Sequence, residues 1–210
     1  MISRLYSAFL DLLFPPSCRR CGTDGSWLCA DCLATCGQSV DMTSPVKNVD
    51  RLLCLGSYDV EALKRTIQQL KYSGGRVLSA TLGTELGRLA QGVITADCIV
   101  PVPLHKNRER KRGFNQARLI ADNAAKVLHL PVMQPIIRVK NTKPQVELHE
   151  HERAVNVAHA FALAHDVANV PKRGIIIDDV FTTGATISEV ADVLRSAGME
   201  RVTALTIAKG

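Results

Sequence analysis

The chain has 210 residues, which is enough for one medium-sized α/β domain and a small appendage. Its hydrophobic content of 46% is typical of a globular core, and the lack of repeats and low-complexity tracts in the sequence excludes a repeat architecture. No stretch approaches the ~18 uninterrupted apolar residues of a membrane-spanning helix, and a net charge of +6 favours a polyanionic partner.

Apolar residues in segment 1–16 recur at helical spacing, for example at Leu5 and Phe9. Arg4 and Asp11 interrupt the apolar run and no small-residue cleavage site follows, which argues against a signal peptide. The pattern predicts a short amphipathic helix packed on the protein. Contact of this helix with a membrane surface stays an alternative.

Four of the seven cysteines form two C-x-x-C turns separated by seven residues: Cys18, Cys21, Cys29 and Cys32. Each turn places two thiolates on one side of a tight loop, and two such turns complete a tetrahedral sulfur shell. A closed shell of this kind favours a structural zinc ion over iron. Four unligated thiols or two disulfides are the alternatives, and the nearby Cys36 leaves the ligand set open.

Two further cysteines, Cys54 and Cys98, lie in apolar runs that resemble strands. Their surroundings predict buried core thiols. Reduced cysteines indicate a cytoplasmic protein.

The sequence predicts three regions: an N-terminal helix with the cysteine module at 1–40, a linker at 41–50 and an α/β domain at 51–210. The predicted strands of the last region are 52–58, 96–101, 136–138, 174–178 and 202–208, and the predicted helices are 61–72, 77–91, 115–128 and 189–197. Strands separated by helices indicate a parallel sheet with helices on both faces. Ligands of such sheets bind beyond the carboxyl ends of the strands.

A turn of sequence Lys-Tyr-Ser-Gly-Gly, which begins at Lys71, follows the first predicted helix of this domain. Its backbone amides are suited to a pyrophosphate, with Lys71 supplying a positive charge. An ordinary helix C-cap is the alternative.

The segment 105–118 carries six Lys or Arg residues and one Glu, so it holds most of the net positive charge. Four of its cations are candidates for neutralising a pyrophosphate or a nucleic-acid backbone: Arg108, Arg110, Lys111 and Arg112. Phe114 is a candidate for stacking on a base, with a loop anchor in the core as its alternative. A solvated basic loop is the alternative for the segment as a whole.

The run 175–186 combines an apolar strand, the adjacent carboxylates Asp178 and Asp179, and a Thr/Gly turn that leads into a helix. Amides, hydroxyls and the positive end of a helix suit the oxygens of a phosphate monoester. The carboxylates suit ribose hydroxyls or, more weakly, a divalent metal. The motif therefore predicts a site for a phosphorylated ribose, and a strand followed by a capped helix is the alternative.

This motif resembles the phosphoribosyl pyrophosphate (PRPP) signature of type I phosphoribosyltransferases. The resemblance implies that Asp178 and Asp179 bind the ribose 2- and 3-hydroxyls and that Mg²⁺ accompanies PRPP. It implies that the turn binds the 5-phosphate through Thr182, Thr183, Gly184, Ala185 and Thr186. The implied fold is a type I phosphoribosyltransferase-like parallel sheet flanked by helices.

Three further motifs extend the resemblance: Pro-Val-Pro-Leu-His at 101–105, Arg-Gly-Phe-Asn-Gln-Ala at 112–117, and the Arg153 and Asn156 pair. With the cysteine module, they make the chain similar to the ComF family over about 14–209. That family has the phosphoribosyltransferase fold and is linked to the uptake and use of exogenous DNA, and its longer members carry a four-cysteine zinc module. The resemblance implies binding of single-stranded DNA, contact with other DNA-uptake proteins such as a helicase, and a mobile loop around Gly113 that closes over PRPP.

Thr182 stands where purine-salvage relatives carry an Asp base, so no catalytic residue is assigned and turnover of PRPP stays open. A nucleobase-salvage phosphoribosyltransferase and a scaffold with a vestigial PRPP site are the alternatives. Arg153 and Asn156 match family positions without evident chemistry. His149 and His151 are not expected to bind a metal.

Overall fold

The computed structural model describes residues 17–18, 20–24, 28–35, 39–72, 75–142, 157–165, 167 and 169–210. Its helices are α1 (Ala30–Ala34), α2 (Glu61–Leu70), α3 (Gly75–Ala90), α4 (Lys106–Arg112), α5 (Gln116–Leu128) and α6 (Ala185–Ser196). Its strands are β1 (Val40–Thr43), β2 (Arg51–Ser57), β3 (Cys98–Pro101), β4 (Ile136–Arg138), β5 (Phe161–Leu163), β6 (Arg173–Phe181) and β7 (Arg201–Lys209).

Five strands form the central sheet in the order β1-β2-β7-β6-β3. The last four run parallel, with Ile177 of β6 opposite Leu205 of β7 and Pro101 of β3, and β1 is antiparallel to β2. The strands β4 and β5 form a separate antiparallel pair. Because β3 and β6 are parallel neighbours, the segments that follow them meet at the same edge of the sheet.

Helices cover both faces of the sheet. On one face, Ile175 and Ile177 pack in a core cluster with side chains from α2, α3 and α5. On the other face, Ile176 packs in a second cluster with side chains from α6 and from the β4–β5 pair. Burial on both faces explains why this strand is a continuous apolar run rather than an alternating one. The predicted α/β class, a mostly parallel sheet flanked by helices, is confirmed.

The strand β1 corrects the prediction that 41–50 is entirely a linker, because 41–43 belong to the sheet. The Asp41 carboxylate pairs with the Arg51 guanidinium of β2 at 2.6 Å, which supports the antiparallel pairing. The side chains of β1 are mostly exposed, so the segment lacks the apolar alternation from which a strand is predicted.

The basic segment predicted as a loop is largely the helix α4. The His105 side chain caps it by accepting a hydrogen bond from the Asn107 amide at 3.3 Å. Gly113 ends it in the left-handed conformation, with φ at 82°, and donates to the Glu109 carbonyl at 2.7 Å. Lys, Arg and Glu favour helices, so the high charge of the segment is compatible with a helix as well as a loop.

The cysteine module packs on the main domain. Its Leu28 and Leu33 are buried in the same core cluster as Leu63 and Ile67 of α2. The predicted N-terminal helix at 1–16 lies outside the described residues, and the division of the chain at residues 40 and 50 is otherwise a prediction. Among the helices that the structure describes, none has the length and apolar character needed to cross a membrane.

Candidate functional site

A cavity of about 310 Å³ lies at the edge of the sheet where β3 and β6 end. Four cationic side chains, two carboxylates and two threonines contribute to its wall. The lining residues are Tyr58, Lys71, Val102, Leu104, Arg108, Arg112, Gln116, Arg138, Asp178, Asp179, Val180, Thr182 and Thr186. With four positive side chains against two negative ones, the cavity is suited to a polyanion.

Ionising both of the adjacent carboxylates of β6, Asp178 and Asp179, is unfavourable. Removal from water and the neighbouring Asp179 charge raise the pKa of Asp178 to about 8. The Asp179 amide opposes this by donating to the Asp178 carboxylate at 2.8 Å, as does the positive charge of Lys71. A ligand that donates hydrogen bonds to both carboxylates, or a cation between them, would relieve this repulsion.

Side chains of α5 and of the C-cap of α2 contact the Asp179 carboxylate, and a side chain of α4 reaches it through Gln116. Lys71, the C-cap of α2, places its Nζ 3.3 Å from the carboxylate, and Gln116 at the start of α5 donates from Nε2 at 3.4 Å. Arg112, at the end of α4, donates to the Gln116 side-chain carbonyl. Burial lowers the pKa of Arg112, against the effect of the Asp179 charge. We call this part of the cavity, formed by Lys71, Arg112, Gln116 and Asp179, the Asp179 end.

Two arginines lie on the other side, near Asp178. Arg138, the last residue of β4, donates from Nη2 to the Thr142 hydroxyl at 2.5 Å, and its guanidinium lies 5.1 Å from the centre of the Phe161 ring. Arg108 of α4 donates to the Thr142 carbonyl. Burial and the Arg108 charge lower the pKa of Arg138, against the effect of Asp178. We call this part, formed by Arg108, Arg138, Thr142 and Asp178, the Asp178 end.

The turn between β6 and α6 brings hydroxyls and a helix N-terminus to the cavity. Thr182 and Thr186 line the main cavity, and with Gly184 and Ala185 they also line a hollow of about 10 Å³ within the turn. The N-cap of α6 is Gly184, which makes no side-chain capping bond, and Thr183 accepts a hydrogen bond from the Ala185 amide at 3.5 Å. Thr183 therefore serves the start of α6, whereas Thr182 and Thr186 are the threonines of this turn that line the cavity.

Gly184 is required by the geometry of the turn. Its φ is 75°, in the left-handed region, and a β-carbon at this position would lie 2.7 Å from the Phe181 ring and would collide with Val46. The tight turn starts α6 at Ala185, four residues before the predicted start at 189.

The structure divides the basic segment into two faces. Arg108 and Arg112, one helical turn apart, line the cavity, whereas Arg110 and Lys111 are exposed outside it. From the sequence alone the four residues form one basic group. Only in a helix does their spacing place two of them on one face and two on another. Phe114 is partly buried, and its ring fits against Gly75 so closely that a β-carbon there would lie 2.6 Å from its Cζ.

Sequence reasoning missed three polar residues of the cavity. The sequence predicts Gln116 only as the start of a helix and predicts no role for Arg138 or Tyr58, yet all three line the cavity. Arg138 ends a three-residue strand with no recognisable motif around it, so its place in the cavity follows from the tertiary fold alone. The one sequence signal for Gln116 is the predicted N-cap before it. The Asn115 side chain accepts a hydrogen bond from the Ala117 amide at 3.0 Å, which fixes the direction of the first helical turn and with it the position of Gln116.

The predicted cysteine tetrad is a cluster. The sulfur atoms of Cys18, Cys21, Cys29 and Cys32 all lie within 4.8 Å of one another. The Cys21 and Cys29 sulfurs are 3.6 Å apart, near the separation of about 3.8 Å expected for thiolates at 2.3 Å from a tetrahedral zinc ion. Amides of Cys29 and Cys32 approach the sulfurs of Cys18 and Cys29 at 3.5 Å and 3.4 Å. The donor set therefore fits a metal ion, and all four cysteines are free of disulfides.

Several predicted positions lie outside the described residues. They are Ser73 and Gly74 of the Lys71 turn, Cys36, His149, His151, Arg153 and Asn156. Of the two remaining cysteines, Cys54 and Cys98 are buried, as predicted, and burial raises the pKa of both thiols.

Comparison with known proteins finds relatives over most of the chain. Competence protein F of Haemophilus influenzae is 30% identical over 198 residues, which are 89% of this chain and 82% of that protein. DNA utilization protein YhgH of Escherichia coli O157:H7 is 31% identical over 199 residues, which are 88% of this chain and 85% of that protein. No family model matches the chain.

Among solved structures, glutamine phosphoribosylpyrophosphate amidotransferase of Bacillus subtilis, in complex with ADP and GMP, matches with a TM-score of 0.45 and 17% identity. The match covers 67% of this chain and 30% of that one. Because this score lies below 0.5, the fold is assigned from the sheet order and register of the chain and not from this match.

Proposed function

Because the chain belongs to the ComF family, which includes competence protein F and DNA utilization protein YhgH, we propose that it binds PRPP and serves the uptake or use of exogenous DNA. One observation carries the PRPP proposal: the carboxylates near the end of β6, the threonine turn and four cations meet in a single cavity. The sequence predicts the carboxylates, the threonine turn and three of the cations as site residues, and the fold adds Arg138. Their convergence supports a ligand with hydroxyls, a phosphate and further negative charge.

Each part of PRPP has complementary groups in the cavity. The ribose hydroxyls donate to Asp178 and Asp179, which lie side by side at the end of β6. The 5-phosphate binds the turn at 182–186, where hydroxyls and the N-terminus of α6 point at its oxygens. The pyrophosphate lies at the Asp179 end, where Lys71 supplies a point charge and Arg112 a planar pair of donors.

A magnesium ion fits this arrangement. Mg²⁺ takes oxygen ligands and is commonly held by one or two carboxylates together with substrate phosphates. Asp178 and Asp179 provide such carboxylates, and their mutual repulsion favours a bound cation. Asp178 and Asp179 would hold the ion, which would neutralise charge on the pyrophosphate, and the chain's own residues orient the ribose between the carboxylates and the threonine turn.

Nucleic acid is proposed to bind the outer face of α4. Lys106, Arg110 and Lys111 are exposed there, next to the cavity but not in it. Arginine and lysine on an exposed helix face are suited to the phosphates of single-stranded DNA. This face adjoins the proposed PRPP site through Arg108 and Arg112 of the same helix. A helicase or another DNA-uptake protein is a proposed partner, and the cytoplasm is the proposed location.

The cysteine cluster is proposed to hold a structural Zn²⁺. Four thiolates within 4.8 Å match the closed tetrahedral shell that zinc prefers, and two of them, Cys18 and Cys32, belong to the core that joins the module to α2. The ion would therefore fix both the module and its packing on the main domain.

Thermal unfolding with and without ligand tests the PRPP proposal. A ligand at about 100 times its Kd stabilises a protein by about 2.7 kcal/mol, which corresponds to about 5 °C or more for a chain of this size. We expect this shift with Mg²⁺ and PRPP, and its loss in the double variant Asp178→Asn, Asp179→Asn. Asp122→Asn, on the exposed side of α5, is the matched control. No shift in the unaltered protein would refute the PRPP site.

A further inference from the structure

The Asp178 end of the cavity contains an arginine, Arg138, with a buried hydrogen-bond donor that the described residues leave unused. Arg138 is held by two contacts, the Thr142 hydroxyl at 2.5 Å and the Phe161 ring at 5.1 Å. Its Nε is buried and has no hydrogen-bond partner among the described residues. A buried donor left without a partner is costly, so an arginine kept in this state indicates a hydrogen-bond acceptor that the described residues do not provide.

A second arginine is brought to the same point. Arg108 donates to the Thr142 carbonyl while Arg138 donates to the Thr142 hydroxyl, so one buried threonine orients both guanidinium groups. Burial lowers the pKa of Arg138, and the nearby Arg108 charge lowers it further. Two like charges held together on the wall of a cavity are suited to an oxyanion placed between them, since an arginine fork matches the oxygens of a phosphate or carboxylate.

The position of the two arginines indicates that the anion belongs to a second ligand and not to PRPP. The PRPP groups assigned above occupy the carboxylates, the threonine turn and the Asp179 end, where Lys71 and Arg112 lie. Arg138 approaches from the opposite side, on the separate β4–β5 pair that packs against the other face of the sheet. That pair is distinct from the elements that carry the motif, so it is placed to contact a second ligand beside the ribose.

We propose that Arg138, held by Thr142 beside Arg108, forms an anion subsite for the second ligand of this cavity, and that this ligand carries a phosphate or a carboxylate. The inference rests on the proposed PRPP site, because it defines the second ligand by the space that PRPP leaves. The two sources of such an oxyanion are a phosphorylated end of single-stranded DNA and a small carboxylated heterocycle.

Matched pairs of probes that differ only in the anion test the subsite. They are nicotinate against nicotinamide, orotate against uracil, and an oligo(dT) with a 5-phosphate against the same oligonucleotide with a 5-hydroxyl. Binding of each is measured by titration calorimetry, with saturating Mg²⁺ and PRPP and again without PRPP. We expect the anionic member of at least one pair to bind about 10-fold more tightly or better, the gain of one well-placed charge-assisted contact.

The Arg138→Gln variant assigns that preference to the residue. Its anion preference should fall to about 1, and its loss of PRPP affinity should be smaller than that of Arg112→Gln. Arg138→Lys, which keeps the charge and loses the fork, should keep part of the preference, and it replaces the Gln variant if that protein does not fold. The pair that shows the preference distinguishes DNA from a heterocycle.

Three results would overturn the subsite: no preference for an anion in the unaltered protein, a preference that survives Arg138→Gln, or a loss of PRPP affinity in Arg138→Gln as large as in Arg112→Gln. If the unaltered protein binds no PRPP, the proposed function fails, and the titrations without PRPP then decide the subsite independently.

Discussion

Asp178 and Asp179 show how far a motif predicts chemistry at the scale of single residues. Adjacent residues of a strand point to opposite faces, yet both carboxylates line one cavity, because they follow Ile177, the last residue of β6 that pairs with β3. The motif predicts the pair and its position after a strand. It does not predict the pKa of Asp178, which burial and the Asp179 charge raise and which the Lys71 charge lowers in part.

The raised pKa predicts a dependence of stability on pH. Between the ordinary carboxyl pKa of about 4 and the raised value of about 8, the folded protein keeps a proton on Asp178 that the unfolded chain releases. The free energy of unfolding therefore falls as pH rises through this range. Asp178→Asn removes the penalty, so its Tm should exceed that of the unaltered protein by about 3 °C or more at pH about 8, and by less at pH about 5.

Melting curves at the two pH values, without ligand, check this expectation. Asp122→Asn is the matched control, because this carboxylate pairs with Arg118 on the exposed side of α5, outside the cavity, and its loss should not stabilise the protein at either pH. An equal gain for Asp178→Asn at both pH values would contradict the proposed burial of its charge.

Gly184 gives a second prediction at this scale. Gly184→Ala combines a strained left-handed backbone with a collision against the Phe181 ring, and it should cost about 2–4 kcal/mol in denaturant unfolding. Gly198→Ala is the matched control, because Gly198 also has a positive φ, of 100°, but open space around it. The control should cost only the backbone strain, about 1–2 kcal/mol. Equal losses would show that the turn at 182–186 can rearrange.

At the scale of elements, the charge of α4 predicts an anionic partner but not which of its side chains face the cavity. The composition of 105–118 predicts a polyanion partner, and the Gly at 113 marks a turn or a helix end equally well. In the helix, with 3.6 residues per turn, Arg108 and Arg112 lie on the face that lines the cavity, and Arg110 and Lys111 are exposed outside it. The sequence therefore predicts the partner's charge, and only the fold separates two binding faces.

The two faces of α4 should have separable effects on binding. Removing Lys106, Arg110 and Lys111 should weaken single-stranded DNA and flatten the slope of log K against log salt by about 2, since each phosphate contact contributes about 0.7. PRPP affinity should change little compared with the loss in Arg108→Gln, Arg112→Gln. Fluorescence anisotropy at several salt concentrations measures the slope, and calorimetry measures PRPP.

A control of equal charge comes from the opposite edge of the sheet. Lys126, Lys172 and Arg201 are exposed there, at the end of α5 and at the starts of β6 and β7. Their replacement by Ala should leave the slope unchanged. If both triple variants flatten it equally, DNA binding reflects overall charge and not the outer face of α4.

At the scale of the whole molecule, the order of strands and helices follows from hydrophobic periodicity, and most predicted elements lie within a few residues of the observed ones. The prediction of a shared edge for β3 and β6 is what collects Pro101, Asp178 and the basic segment into one place. The β4–β5 pair could not be placed in this way, since β5 has three residues and pairs with a strand more than 20 residues earlier. The place of Arg138 in the cavity therefore follows from the tertiary fold and not from the sequence pattern.

The cysteine module makes a prediction about the stability of the whole chain. Because Cys18, Cys32, Leu28 and Leu33 belong to the core cluster that includes α2, losing the metal should unfold more than the module. Purified protein should contain about one zinc ion per chain, and a chelator should lower Tm by several degrees. Cys18→Ser should reproduce the effect, whereas Cys54→Ser, at a buried position outside the cluster, should lose stability without losing zinc. Absence of bound metal, with no effect of the chelator, would contradict the proposed ion.

The central claim is that the cavity after β6 binds PRPP, and isothermal titration of the protein with PRPP in the presence of Mg²⁺ tests it most directly. The account predicts one PRPP per chain, weaker binding of ribose 5-phosphate because it lacks the pyrophosphate, and a loss of about 100-fold or more when Asp178 and Asp179 are both replaced by Asn. Binding that is undetectable in the unaltered protein, or unchanged in the double variant, would contradict it.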